Sequence, residues 1–146
     1  MTADQPPRVP YWHVWTDAEG VSRQTRCELA DFELASIIPP AAAQWLGCKL
    51  TAPCTIFVTV LPVGWIGEWH ENPKPQWIIP LSGRWYVETM DGQRGEMGPG
   101  ELSFGEDQGT AGRKGHRSGT VGDAPAVLMI VQFESGERRG APRGLG

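Results

Sequence analysis

Long hydrophobic runs are missing from this 146-residue chain. No stretch approaches the roughly 18 continuous apolar residues that a helical membrane span needs, so no membrane partner is expected. The opening "MTADQPPRVP" lacks the basic and apolar blocks of a signal peptide, which points to a soluble, cytoplasmic protein. A basic surplus is also lacking: 13 Lys and Arg stand against 17 Asp and Glu, for a formal net charge of −4. With a pI near 5.3, a nucleic-acid partner is not expected either. Cysteine is scarce, and its three copies, Cys27, Cys48 and Cys54, form no C-x-x-C pair. An odd count cannot close a disulfide framework, so they read as buried thiols, with a Cys48–Cys54 bridge as the alternative.

Helix-forming windows are rare because 19 Gly and 13 Pro interrupt the chain. Between them lie short apolar or alternating runs, the pattern of an all-β sandwich or barrel. One domain fits the length, and 40% apolar residues can fill its core. Residues 1–9 and 135–146 are polar and rich in Gly or Pro and read as flexible tails, leaving 10–134 as the folded domain.

Within that domain, "YWHVWTDAEGVSRQTR" predicts a hairpin about an Asp-Ala-Glu-Gly turn. "PPAAAQWLGCKL" predicts one or two helical turns. "CTIFVTVLP" predicts a strand buried on at least one face. Ser82-Gly83 and Asp91-Gly92 predict turns between strands, and "APAVLMIVQF" predicts the last strand. The Gly-rich segment 105–115 lacks the Gly-Lys-Ser/Thr ending of a phosphate-binding loop and reads as a lid beside His116.

Chemistry concentrates in "GWIGEWHENPKPQWIIPLSG", residues 64–83. Side chains two apart on a strand share a face, so His70 and Asn72 can point into one barrel mouth, with Gln76 joining them after the Pro73-Lys74-Pro75 bend. Glu71 then points to the opposite face. His116 can reach the same mouth across an antiparallel barrel. A strand histidine can equally be a hydrogen-bonded structural residue.

The spacing Gly64-x5-His70-x-Asn72-x3-Gln76-x6-Gly83 resembles the first cupin motif, G-x5-H-x-H-x3-E-x6-G. The second motif, G-x5-P-x-G-x2-H-x3-N, is recognisable in altered form: Gly100-x5-Glu106 keeps the opening, His116 arrives five residues late, and Thr120 stands where Asn is usual. The resemblance implies a cupin-type antiparallel β-barrel, or jelly roll, and a homodimer. It also implies one divalent metal (Fe, Mn, Ni or Zn), carried over onto His70, Gln76 and His116, with Asn72 in the remaining position.

Two of those four positions are neutral amides, which weakens the negative charge that offsets a cation's desolvation. Glu106 or Asp107 could restore a carboxylate, giving with His70 and His116 a facial triad for an enzyme acting on a small organic molecule. The same residues suit a metal-free isomerase or lyase, with the histidines moving protons and the amides holding substrate. A non-catalytic small-ligand binder is a third expectation. Trp65 and Trp69 are expected to roof the pocket, and Arg84 to anchor an acidic ligand at its mouth.

Overall fold

A computed structural model describes residues 5–134. Its elements in chain order are β1 (Val9–Thr16), β2 (Ser22–Leu29), β3 (Phe32–Ala35), β4 (Gln44–Gly47), β5 (Cys54–Leu61), β6 (Gln76–Ser82), β7 (Arg84–Thr89), β8 (Arg94–Met97), β9 (Leu102–Glu106), a 3₁₀ turn (Ala111–Arg113), β10 (His116–Val121) and β11 (Ala126–Phe133). The fold is all-β, as the Gly and Pro punctuation predicts.

Six strands in the order β2-β1-β9-β6-β11-β5 make the larger sheet, and β10-β7-β8 make the smaller. Between them lies a core of Val14, Ile78, Leu128 and Ile130 from the larger sheet and Trp85, Val87 and Met97 from the smaller. Alternation along each strand puts every second side chain into this layer, the arrangement that buries a sheet face. The larger sheet's reverse side carries a second cluster, Tyr11, Cys27, Phe104 and Phe133, against which Trp77 packs. Trp77 therefore sits opposite Gln76 and Ile78, as the period of two along β6 requires.

Several expectations need correction. The barrel is not wholly antiparallel, since β1 and β9 pair in parallel, with His13 beside Phe104 and Trp15 beside Glu106. The helix expected near Pro39–Leu50 does not form; Gln44–Gly47 pairs instead with Phe32–Ala35 as a hairpin, because Trp45 and Leu46 gain cross-strand neighbours there. Cys27 is buried, but Cys48 and Cys54 are exposed, and all three are free thiols.

β5 is the largest departure. It is the edge strand of the larger sheet, and Ile56, Val58 and Val60 are 61%, 53% and 55% exposed. The Ser82-Gly83 turn is also not a hairpin loop: it carries the chain from the larger sheet into the smaller. Gly83 has φ +72°, and a Cβ there would fall 2.1 Å from the Pro125 carbonyl oxygen, so only glycine fits the crossing. Asp91-Gly92 does close the β7–β8 hairpin. Of the expected tails, residues 1–4 and 135–146 lie outside the described residues, and β1 begins at Val9.

Candidate functional site

Residues 64–75 do not form a regular strand. They cross the mouth of the sandwich as a loop held to β10 at two isolated bridges, Ile66 with Gly119 and His70 with His116. At the second, His70 N–H donates to the His116 carbonyl and His116 N–H to the His70 carbonyl, both at 2.9 Å. Directly opposed residues project side chains to the same side, and the two imidazole centroids stand 4.8 Å apart. The approach depends on Gly115, at φ +65°, where a Cβ would meet the His70 carbonyl at 2.2 Å.

Each imidazole is fixed through Nδ1. That of His116 lies 2.6 Å from Asp107 Oδ2, and that of His70 lies 2.7 Å from the Glu68 carbonyl oxygen. Since a carboxylate and a carbonyl can only accept, both Nδ1 atoms carry the proton when the rings are neutral, leaving both Nε2 atoms with lone pairs. His116 is 5% exposed and sits inside, whereas His70 is exposed at the rim.

Asp107 is fully buried. Its other oxygen accepts from Asn72 N–H and Asn72 Nδ2, each at 2.8 Å. Burial works to raise its pKa, but the hydrogen bond and charge of His116, with the two Asn72 donors, outweigh it and hold the carboxyl below its ordinary range. The polar chain continues: Gln76 Nε2 donates to Asn72 Oδ1 at 2.7 Å, and Gln132 Nε2 donates to Gln76 Oε1 at 3.0 Å. Gln76 and Gln132 are cross-strand partners on β6 and β11, which is why their amides meet. Gly105 leaves room for Asn72, because a Cβ there would lie 2.3 Å from Asn72 Nδ2.

His70, Asn72, Gln76, His116 and Gln132 line one side of a cavity of about 230 Å³. Its apolar walls come from Phe57, Leu61, Trp65, Ile78, Leu128 and Ile130, with Trp85 and Ser118 on the opposite sheet. A broader cleft of about 850 Å³ beside the β3–β4 hairpin is lined by residues such as Asp31, Phe32, Leu46 and Cys48, and no histidine reaches it. The convergent chemistry is therefore in the smaller cavity.

His70, His116, Asn72, Gln76 and Trp65 all line that cavity. Four other expected residues do not. Glu106 turns to the far side of the larger sheet, where its Oε1 meets His13 Nε2 at 2.6 Å. Asp107 lies behind His116 rather than in the cavity. Trp69 faces outward, beneath Lys114 and Arg117, whose cationic groups stand 4.4 and 5.4 Å from its ring centroid. Arg84 is exposed and lies 3.6 Å from Glu101. Each is drawn away by a partner across a sheet or loop, which sequence spacing does not encode.

The segment expected to be a lid is stitched down. Thr110 donates to Glu71 through N–H and Oγ1, Gly115 N–H donates to Thr110 Oγ1, and Ala111 N–H donates to the Gly20 carbonyl. Glu71 does face away from the cavity, as alternation predicts. Sequence reasoning missed Gln132, Trp85 and His13. Gln132 had a signal, as the lone polar residue in "APAVLMIVQF".

A divalent metal needs a donor set that these residues do not complete. Two imidazole Nε2 atoms are presented, but Gln76 already donates to Asn72 and accepts from Gln132, and both Asp107 oxygens are engaged. Among the described residues no three His, Cys, Asp or Glu side chains are grouped to hold a cation. The expected facial triad does not assemble.

The two motif segments, 64–83 and 100–120, nonetheless meet at one mouth between two facing β-sheets. The fold is an all-β sandwich of a six-stranded and a three-stranded sheet. No family model matches the chain, and no curated protein matches it. Among solved structures it is similar to a protein described as ethanolamine utilization protein Q from Salmonella typhimurium, at 14% identity, with a TM-score of 0.43, over 87% of this chain and 97% of that one. A likeness that loose bears on nothing in the site. Among the described residues no helix is long and apolar enough to cross a membrane.

Proposed function

We propose that the cavity is the centre of an acid–base enzyme, an isomerase or lyase acting on a small organic molecule without a metal. The observation that carries this reading is the buried Asp107–His116 pair, whose imidazole lines a cavity open at its rim, with Nδ1 of His116 engaged by the carboxylate. A carboxylate behind Nδ1 fixes the tautomer and stabilises the imidazolium formed when Nε2 takes a proton. His116 removes a proton from carbon beside a carbonyl. His70, at the rim, takes a proton on Nε2 from solvent and, as the imidazolium, gives it to a second carbon in an isomerisation or to the leaving oxygen in an elimination, after which His116 returns its proton to solvent. Proton count balances in both cases.

The test is exchange of α-protons in a panel of small cyclic ketones in deuterated water, followed by NMR. Wild-type protein is expected to accelerate exchange for at least one member, and His116→Gln to lose about 10²-fold or more of that acceleration. Equal rates in the two proteins would sink the reading in favour of a plain binder. Stoichiometric metal in protein purified without chelators, lost in His70→Ala and His116→Ala, would instead favour the metal site of His70, Gln76 and His116.

The homodimer is proposed on separate ground. On the outer face of the larger sheet, Val60 pairs with Val127, Val58 with Met129 and Ile56 with Val131, while Met129 and Val131 pair on their other side with Ile79 and Trp77. Ile56, Val58 and Val60 in these rows are 61%, 53% and 55% exposed, a contiguous apolar patch of the kind that marks an interaction surface. A second copy laid face to face, or along the unpaired edge of β5, would cover them. Sedimentation equilibrium should give a dimer for wild type and a monomer for Val58→Lys; a monomeric wild type would overturn the assignment.

A further inference from the structure

β10 brings a second polar side chain to the cavity. Ser118 stands two residues after His116, so the two side chains share one face of the strand. Register fixes which face that is. Ser118 pairs directly with Val87 on β7, and Val87 is buried in the core between the two sheets. Directly opposed residues project to the same side, so the Ser118 side chain points into the inter-sheet layer, where Ser118 and His116 line the same cavity.

Ser118 is only 7% exposed, yet its Oγ has no hydrogen-bond partner among the described residues. The hydroxyls of Ser103 and Thr16 also lack partners there, but those oxygens are sealed within the protein, whereas Ser118 Oγ is not. Buried polar groups are normally matched, so a hydroxyl that is open to a cavity and still unspent marks a place for a ligand oxygen. The lining amides are committed to one another: Asn72 Nδ2 donates to Asp107, Gln76 Nε2 to Asn72 and Gln132 Nε2 to Gln76. Spacing also suits the proposed chemistry. Same-face neighbours on a strand stand about 7 Å apart, a gap that a carbonyl compound spans when its α-carbon meets the His116 imidazole and its oxygen meets the Ser118 hydroxyl.

We infer that Ser118 is a catalytic residue of the proposed reaction, holding the carbonyl oxygen of an enolisable ketone or aldehyde and stabilising the enolate that forms there. As His116 removes the α-proton, the C–H electron pair becomes the enolate C=C bond and the carbonyl π pair moves onto oxygen. The Ser118 O–H donates to that oxygen throughout and keeps its own proton. The hydrogen bond strengthens as negative charge develops, so it lowers the barrier more than it tightens binding. This inference rests on the acid–base reading, but the oxygen contact itself is measurable without turnover.

The experiment uses cyclohexanone labelled with carbon-13 at the carbonyl and takes two readouts. In α-proton exchange, Ser118→Ala is expected to lower kcat about 10²-fold with KM within about threefold of wild type, and Ser118→Thr, which restores a hydroxyl, to recover to within about tenfold. In isotope-edited infrared spectra of the bound ketone, the carbonyl stretch is expected to lie lower in wild type than in Ser118→Ala, and as low in His116→Gln as in wild type. A stretch unmoved by Ser118→Ala, exchange that depends on His116 but not on Ser118, or no saturable binding of the ketone would each overturn the assignment. A wild-type stretch at its position in an apolar solvent overturns it without any variant. Failure of the acid–base reading looks different: exchange no faster in wild type than in His116→Gln, with the stretch still lowered by Ser118, would remove the enolate role and leave the oxygen contact standing.

Discussion

Two buried histidine–carboxylate pairs lie back to back across the larger sheet. His116 meets Asp107 and His13 meets Glu106, both at 2.6 Å, through carboxylates adjacent in sequence. Strand alternation sends Glu106 to one side, and the turn after β9 lets Asp107 reach the other. Their surroundings differ completely. His13 is 6% exposed among the rings of Tyr11, Trp15 and Phe104, with centroids 6.2 to 6.5 Å away, and it is not among the residues lining the cavity that His116 lines. His116 is equally buried but has that cavity beside it. A short His–carboxylate contact is thus not itself a sign of catalysis; what distinguishes the two is which of them lines the cavity.

Exchanging each carboxylate for its amide tests that distinction most strongly. Asp107→Asn leaves the geometry nearly unchanged but lets the amide present N–H to His116 Nδ1, favouring the wrong tautomer and removing the charge that stabilises the imidazolium. Ketone α-proton exchange is expected to fall about 10²- to 10⁴-fold. Glu106→Gln is expected to leave that rate within a factor of about two. Equal losses in both variants would mean that the pairs share a structural role and that the cavity is not what separates them.

The next effect is on stability, and it runs the other way. His13→Ala removes the imidazole that meets the buried Glu106 carboxylate, and breaking a buried pair by removing one partner costs roughly 3–5 kcal/mol. Urea denaturation should show that loss, with ketone exchange per folded molecule unchanged. A His13→Ala protein as stable as wild type would mean that water already reaches Glu106.

The contrast also explains what could be read from the sequence. The all-β fold and the hairpin at Asp91-Gly92 follow from alternation and turn residues, which are local properties, whereas the convergence of His70, Asn72, Gln76 and His116 is signalled by motif spacing alone, since residues 64–75 form no regular strand. The fate of Glu106, Trp69 and Arg84 does not, because each side chain is turned by a partner from a distant segment: His13 from β1, Lys114 and Arg117 from beyond the 3₁₀ turn, and Glu101 at the start of β9. β5 misled for a related reason. Its composition is that of a buried strand, but its place at the edge of the sheet is a matter of topology, and nothing within "CTIFVTVLP" specifies which neighbour it lacks.

The smallest effect separates the pairs by pH. The Asp107 pKa is held below its ordinary value by His116 and Asn72 despite burial, so the folded protein binds that proton more weakly than the unfolded chain does. A depressed folded-state pKa gives stability that is fully present above the unfolded value, about 3.9, and that is lost as pH falls through the folded value. Wild type should therefore lose stability on acidification below about pH 4, by no more than about 1.4 kcal/mol per pH unit from this group. Asp107→Asn, which cannot titrate there, should show a shallower decline over the same range. If the two acid-denaturation curves run parallel, His116 does not hold Asp107 ionised, and the free energy that orients the His116 imidazole must come instead from the Asn72 donors and the backbone bridge to His70.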